Sequence, residues 1–314
     1  MKKIIIDCDV GVDDALALML AFHAPELEVK AVTGVSGNVP LETVFKNIQK
    51  VLSLIRPPRR PLIAKGADRP LKGEAFYAYS FHGEDGLRGA KIEGREGEEW
   101  WRVFPGRADE LILKMARQYP SEMTLVAIAP LTNLALGLKK DPQGMRQLKE
   151  VVVMGGAVRT KGNITSYAEF NIFVDPRAAE IVFTSGLPIT LVPLDVTQQI
   201  PLSPRVIEER VWPIRNSLSK FVIEATGYNF PGRQPRGRSE VIYLHDPLAV
   251  GVAIDPNLVS KERLSISVET QPGEFYGRTL EVAEKKVPGN QEMEVCLGVN
   301  SENFLELFLS RLKA

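Results

Sequence analysis

The stretch that decides the fold covers residues 4–20 and reads IIIDCDVGVDDALALML. Its three isoleucines predict a buried strand, and the apolar run after Asp14 predicts a helix. A strand followed directly by a helix is the unit from which parallel sheets are built. Ligands of such sheets bind at the carboxyl ends of the strands. The acidic residues between this strand and this helix are therefore the first candidates for a binding site.

The same alternation of apolar strands and helical patterns continues through the N-terminal half. Strands are predicted at residues 4–6, 29–35, 61–64, 124–128, 151–154 and 189–192, and helices at 13–23, 40–55, 108–119, 131–138 and 176–183. Glycine, charge and aromatic residues interrupt the pattern over 65–106, and the run KIEGREGEEWW at 91–101 indicates a solvated surface loop. Further helices are predicted at 204–210, 213–226, 247–254 and 302–312, with an irregular β segment at 264–269.

This order of elements predicts an α/β fold. We expect a Rossmann-like, mostly parallel central sheet with helices on both faces. No linker, repeat or low-complexity tract divides the sequence, so we expect a single domain over residues 1–314.

The charges of the chain balance, with 39 Lys and Arg against 39 Asp and Glu. Zero net charge argues against nucleic acid and anionic membranes as partners. Arg233, Arg236 and Arg238 form a small basic group that is most simply a solvated loop. Cys8 and Cys296 form neither a disulfide framework nor a zinc site, which is typical of a cytoplasmic protein. We expect no membrane span, because the apolar runs are far shorter than ~20 residues.

Four aspartates lie within eight residues at the first strand–helix junction: Asp7, Asp9, Asp13 and Asp14. Carboxylates packed this closely repel one another unless they are protonated or bind a cation. Oxygen ligands without cysteine or histidine select Ca²⁺ or Mg²⁺. Helix capping in a solvated acidic turn is the simpler alternative. The junction is also compatible with an Mg²⁺-dependent Asp-x-Asp phosphatase, with Asp7 as nucleophile.

The spacing Asp-x-Asp-x-x-x-Asp-Asp resembles the signature of the nucleoside hydrolases. Further motifs of that family follow in order: SGN at 36–38, HGEDGL at 82–87, IAPLTNLAL at 128–136, VVVMGGAVRTKGNITSYAEFNIFVDPRAAEIV at 151–182 and LHDPLAV at 244–250. The sequence departs from the family at Val10, where proline is common, and at Ala129, where glycine is usual. The phosphatase alternative leaves the later motifs unexplained. A non-catalytic nucleoside- or ribose-binding protein on the same scaffold is a further alternative, but it would not need a general base and a metal.

The resemblance implies hydrolysis of the N-glycosidic bond of ribonucleosides to free base and ribose. It implies a Ca²⁺ ion held by Asp9, Asp14, Asp246 and the main-chain carbonyl of Ile128. Asp9 would act as general base on a water molecule at this ion, which attacks C1′ through an oxocarbenium-like transition state. Asp7 is interpreted as a support for its neighbours or, equally, as a strand-end residue bonded to backbone amides.

The resemblance also assigns residues to the sugar. The implied ribose binders carry carboxylates and amides, which match the hydroxyl groups of the sugar: Asp13, Asn38, Asn163, Glu169 and Asn171. Met154 is a candidate sugar contact, although a buried strand methionine is the simpler interpretation. The spacing of Glu169 and Asn171 predicts one side of an extended segment, with Phe170 on the other.

Histidines and aromatics are the candidates for the nucleobase. A neutral-pH histidine can donate a proton or hydrogen bond to the leaving base, and we place His245 first and His82 second. A histidine in both regions resembles the inosine–uridine or pyrimidine-preferring members. His82 lies in a glycine-rich region that could form a lid, and Tyr228 with Phe230 could form a flap over the base. The resemblance further implies a homo-oligomer, either a dimer or a tetramer.

Overall fold

The structure is a computed structural model that describes residues 1–92, 98–228, 241–282 and 291–313. Its described strands are β1 (Lys2–Cys8), β2 (Leu27–Gly34), β3 (Leu62–Lys65), β4 (Arg102–Val103), β5 (Met123–Ala127), β6 (Glu150–Met154), β7 (Ile189–Val192), β8 (Pro201–Leu202), β9 (Ile242–Tyr243), β10 (Val259–Val268), β11 (Thr279–Val282) and β12 (Glu292–Val299). Ten of them form one sheet in the order β11-β10-β12-β7-β6-β5-β1-β2-β3-β4. The pairs from β12 to β4 are parallel, whereas β10 runs antiparallel to both of its neighbours.

Helices cover both faces of this sheet. Those described are α1 (Val12–Phe22), α2 (Leu41–Ile55), α3 (Tyr79–His82), α4 (Ala108–Gln118), α5 (Thr132–Lys140), α6 (Pro142–Met145), α7 (Phe170–Val174), α8 (Pro176–Phe183), α9 (Leu194–Thr197), α10 (Pro204–Val206), α11 (Ser217–Ala225), α12 (His245–Ile254) and α13 (Ser301–Leu312). Alternate residues of β1 enter opposite cores: Ile4 and Ile6 pack with α1, α2, α12 and α13, and Ile5 packs with α4, α5 and α8. The predicted α/β fold is thereby confirmed.

The structure refines the prediction in several segments. Within the irregular region 65–106, Tyr79–His82 is helical and Arg102–Val103 pairs with β3. The helix predicted from residue 213 begins at Ser217, because residues 212–214 form a 3₁₀ turn and the Asn216 side chain caps the helix by accepting from Ser219 N–H at 2.9 Å. Among the described residues, no helix has both the length and the apolar character that crossing a bilayer requires.

The fold brings distant segments together at one edge of the sheet. Cys8, Gly34, Ala127 and Met154 end four adjacent parallel strands, so the loops after them meet at this edge. α1 also packs against α12. The N-terminal turns of these two helices therefore bring the first and last sequence motifs to one place.

Candidate active site

The turn between β1 and α1 is organised by the carboxylate of Asp14. It accepts hydrogen bonds from the backbone N–H groups of Asp9, at 3.1 Å, and Gly11, at 2.8 Å. Gly11 is the N-cap of α1, and a Cβ there would lie 2.5 Å from His82 Nδ1 and 2.8 Å from Asn38 Nδ2. The close approach of these two side chains therefore requires glycine at this position.

Three carboxylates from two helix N-termini converge at this turn. Asp13, Asp14 and Asp246 are buried and each offers one carboxylate oxygen within 4.8 Å of the others. Burial raises the pKa of all three, to about 7 for Asp13, and mutual repulsion adds to the rise for Asp13 and Asp246. Asp13 Oδ1 is buried and has no hydrogen-bond partner. An all-oxygen set of this kind fits a hard divalent cation.

Asp9 lies beside this cluster and is fully buried. Its Oδ2 accepts a 2.6 Å hydrogen bond from Asn38 N–H, while its Oδ1 is buried without a partner. Burial raises the pKa of Asp9 well above its usual value, and the charge of Asp14 raises it further. Gly37 is required here, because a Cβ at that position would lie 2.0 Å from Asp9 Oδ2. Of the predicted metal carboxylates, Asp14 and Asp246 thus belong to the close group, with Asp13 rather than Asp9 as its third member.

The backbone carbonyl of Ile128 lies directly after β5, and its side chain is buried in the core. Ile128 O accepts from Asn171 Nδ2 at 3.3 Å, and the same amide donates to Met154 O at 3.3 Å. Met154 is 3% exposed, and its sulfur lies 3.5 Å from the Asn171 amide nitrogen. The structure thus joins three of the predicted site residues through one side-chain amide.

Glu169 and Asn171 do not lie on an extended segment, so that prediction is wrong. Glu169 is the N-cap of α7: its Oε1 accepts from Asn171 N–H at 2.8 Å, and its Oε2 accepts from Ile172 N–H at 3.1 Å. Oε2 also accepts from Gly156 N–H at 2.9 Å. The spacing of these polar residues predicts an extended segment, whereas the capping carboxylate of Glu169 marks the start of a helix.

The other predicted sugar binders differ in their exposure. Asn38 is buried, and its Nδ2 donates to Asp14 Oδ2 at 3.1 Å, so it braces the acidic turn. Asn163 is exposed, and its Oδ1 accepts from Phe170 N–H at 2.9 Å, which holds the start of α7.

The two candidate base-pocket histidines are held in defined hydrogen bonds. His82 is buried in α3, and its Nδ1 lies 3.1 Å from Val12 N–H, which can only donate. His82 is therefore a neutral ring with its proton on Nε2, and its side chain is packed in the interior. Burial lowers its pKa to about 3, with a smaller effect from the charge of Arg88. His245 Nδ1 lies 2.7 Å from Thr197 Oγ1, and burial lowers its pKa to about 4.

Tyr228 is the described part of the predicted flap. Its hydroxyl donates to Glu208 Oε2 at 2.9 Å. Phe230 and the basic group Arg233, Arg236 and Arg238 lie outside the described residues.

Two residues that sequence reasoning missed hold Asp7 beneath the acidic turn. Asp7 Oδ1 accepts from Thr33 Oγ1 at 2.6 Å and from Asn133 Nδ2 at 2.8 Å. Its partners are thus side chains, and the interpretation with backbone amides is wrong. Burial raises the pKa of Asp7 to about 7, while both hydrogen bonds lower it. Asn133 stands in the PLTN motif, which was the available signal, whereas nothing in the sequence marks Thr33.

Comparison with known proteins decides the family. The sequence profile for inosine-uridine preferring nucleoside hydrolases matches residues 4–306. The chain belongs to this family. A pyrimidine-specific ribonucleoside hydrolase, RihA, from Salmonella paratyphi B is 38% identical over 312 residues, which cover 99% of this chain and 98% of that protein.

Solved nucleoside hydrolase structures agree with this assignment. A plant nucleoside hydrolase superposes with a TM-score of 0.88 at 29% identity, covering 100% of this chain and 99% of the other. A purine-preferring ribonucleoside hydrolase from Gardnerella vaginalis superposes with a TM-score of 0.87 at 30% identity, covering 99% and 98%. This nucleoside hydrolase acts on N-glycosyl bonds, which sets aside both the phosphatase and the non-catalytic binder.

Proposed function

We propose that the enzyme hydrolyses ribonucleosides with a Ca²⁺ ion held by Asp9, Asp14, Asp246 and the Ile128 carbonyl. The observation that carries this proposal is the buried group of Asp13, Asp14 and Asp246, with Asp9 beside it and buried unpartnered oxygens on Asp9 and Asp13. When bound, such an ion lowers the pKa of water and polarises sugar oxygens. A hard ion with 6–8 oxygen ligands leaves positions for the sugar beside these four.

We assign Asp9 as the general base. Asn38 N–H fixes one of its carboxylate oxygens, which leaves Oδ1 to accept a proton from the attacking water. Burial and the charge of Asp14 raise the pKa of Asp9, and a bound cation would offset this rise and keep the carboxylate ionised and able to accept a proton. Asp7, held by Thr33 and Asn133, keeps the end of β1 rigid beneath it.

The sugar would lie among Asp13, Asn38, Asn163, Glu169 and Asn171, with Met154 beside it. Asp13 Oδ1 is the unpartnered acceptor of this group and suits a ribose hydroxyl. A buried acceptor that loses its hydroxyl partner is left unsatisfied, so 2′-deoxynucleosides should be poor substrates.

The leaving base would receive a hydrogen bond rather than a proton from a charged imidazolium, since both histidines are neutral near pH 7. We place His245 nearest the base, His82 behind it and Tyr228 at the rim. The 38% identical relative from Salmonella paratyphi B is a pyrimidine-specific ribonucleoside hydrolase, which favours pyrimidine ribonucleosides as substrates.

A panel of nucleosides tests this function. Purified enzyme would be assayed for ribose release from uridine, cytidine, inosine, adenosine and 2′-deoxyuridine, with added Ca²⁺ and with a chelator. We expect release from uridine and cytidine that the chelator abolishes and Ca²⁺ restores. Release that persists in the chelator would contradict the metal assignment, and no release from any ribonucleoside would contradict the proposed function.

Four finer predictions accompany it. We propose a single domain over residues 1–314, a homo-oligomer (dimer or tetramer), a cytoplasmic location and no nucleic acid or membrane partner. Two buried free cysteines, Cys8 and Cys296, support a reducing compartment. Light scattering of purified protein and fractionation of the source cells would check the assembly and the location.

A further inference from the structure

The antiparallel end of the sheet contacts the active-site edge through a short segment at the start of β11. This segment, Gly277–Thr279, is here called the buttress. Thr279 is 1% exposed, and its hydroxyl both accepts from Ala157 N–H at 2.9 Å and donates to Ala157 O at 2.8 Å. One side chain thus satisfies both backbone groups of a residue in the loop after β6.

A second face of the buttress packs on the segment that carries Glu169 and Asn171. Arg278 forms an antiparallel backbone bridge with Ala168. Gly277 has φ +80°, and a Cβ there would lie 2.8 Å from Phe173 Cα in α7. The buttress therefore contacts the loop after β6 and the start of α7 at the same time.

A continuous series of hydrogen bonds leads from Thr279 to the candidate site. Ala157 follows Gly156, whose N–H donates to Glu169 Oε2. Glu169 Oε1 accepts from the backbone N–H of Asn171. The side-chain amide of Asn171 then donates to Ile128 O, the proposed main-chain metal ligand. Gly156 has φ +81°, so this loop turn needs glycine and is held in place by its neighbours.

We propose that Thr279 is a positioning residue for nucleoside binding. Its hydroxyl fixes Ala157 and Gly156, which set the Glu169 carboxylate and, through it, the Asn171 amide. This proposal rests on the proposed function in one respect: it assumes that Asn171 contacts the sugar and that the Ile128 carbonyl binds the metal. The mechanical connection from Thr279 to α7 stands on the contacts alone.

The test compares three variants of the full-length enzyme. Thr279→Val keeps the shape of the side chain and removes the hydroxyl, whereas Thr279→Ser keeps the hydroxyl. Thr190→Val is the matched control, because Thr190 is also a buried strand threonine, 2% exposed, whose hydroxyl donates to Glu150 at 2.8 Å and has no contact in this series.

Hydrogen–deuterium exchange and steady-state kinetics are measured on each variant. We expect Thr279→Val to raise exchange in peptides covering 154–159 and 168–173 and to raise KM for uridine at least about tenfold, since small misplacements at a site are costly. Thr279→Ser should restore both, and Thr190→Val should change neither. Should Thr279→Val prove too unstable to purify, Thr279→Ala carries the same expectation.

Unchanged exchange at 168–173 in folded Thr279→Val would overturn the proposal. So would a KM equal to that of the wild type, with only the melting temperature lowered. Hydrogen–deuterium exchange can be measured without turnover. If the enzyme released no ribose, the proposed function would be refuted, but the exchange data would still show whether Thr279 positions the start of α7.

Discussion

The substitution Asp246→Asn tests the acidic cluster as a cation site. Among the described residues no donor to the Asp246 carboxylate is found, so the change removes a charge and disturbs little else. The 314-residue length gives an unfolding entropy of about 0.66 kcal/mol/K, from ~2.1 cal/mol/K per residue. A cation at about 1,000 times its Kd stabilises the native state by about 4.1 kcal/mol, which corresponds to a melting temperature raised by about 6 °C.

The variant should lose most of this stabilisation. Mutating a residue that only hydrogen-bonds to a metal ligand typically lowers metal affinity about 10–100-fold. We therefore take a roughly 100-fold loss of Ca²⁺ affinity when one of the three close carboxylates is changed. The same cation concentration is then about 10 times Kd and stabilises by about 1.4 kcal/mol, or about 2 °C. In chelator, the variant should melt at or above the wild-type temperature, because mutual repulsion in the cluster is reduced.

Differential scanning fluorimetry of both proteins in chelator and across a Ca²⁺ titration measures these shifts. A matched change far from the cluster, Thr190→Val, should keep the full Ca²⁺ shift. The reasoning is refuted if Ca²⁺ does not raise the wild-type melting temperature, or if Asp246→Asn shows the same rise at the same concentration.

Three further predictions concern the supports of the site. Thr33→Val removes a donor from the buried Asp7 and should lower the free energy of unfolding by about 1–3 kcal/mol in urea titrations; no loss would remove Thr33 from the account. The pKa of His82 is about 3 when folded, below its unfolded value, so its stabilising contribution is lost as pH falls from about 6.5 towards 3, and His82→Gln should flatten that part of the stability–pH curve. Glu169→Ala removes an N-cap and should cost about 0.5–2 kcal/mol with a raised KM; an unchanged KM would make Glu169 purely structural.

The sequence was sufficient to predict the sheet and the acidic turn. The three isoleucines before Asp7 and the apolar helix after Asp14 form one strand–helix unit, as the structure shows. The late His-Asp motif lies at the same turn, since α1 and α12 bring Asp246 close to Asp13 and Asp14. These predictions held because they depend on local periodicity and on motifs with fixed spacing.

The sequence is least informative where long-range contacts override local patterns. His82 stands in an irregular glycine-rich region, yet it is buried and its ring accepts a hydrogen bond from Val12 N–H, seventy positions earlier in the chain. Glu169 looks like one side of a strand, but its carboxylate caps a helix and also binds Gly156. The proposed role of Thr279 depends on hydrogen bonds between the edge strand β11 and Ala157 in the loop after β6. No local sequence pattern predicts such a long-range contact.

The most direct test of the central claim is the kinetic effect of Asp9→Asn. Asparagine can still accept from Asn38 N–H, so the turn should persist while the proton acceptor is lost. We predict that, with enough Ca²⁺ to saturate the variant, kcat for uridine falls by about 10²–10⁴-fold, the usual contribution of a general base, while the inhibition constant of ribose changes far less than kcat. Equal losses of turnover and ribose affinity, or turnover close to wild type, would contradict the assignment of Asp9 as the base.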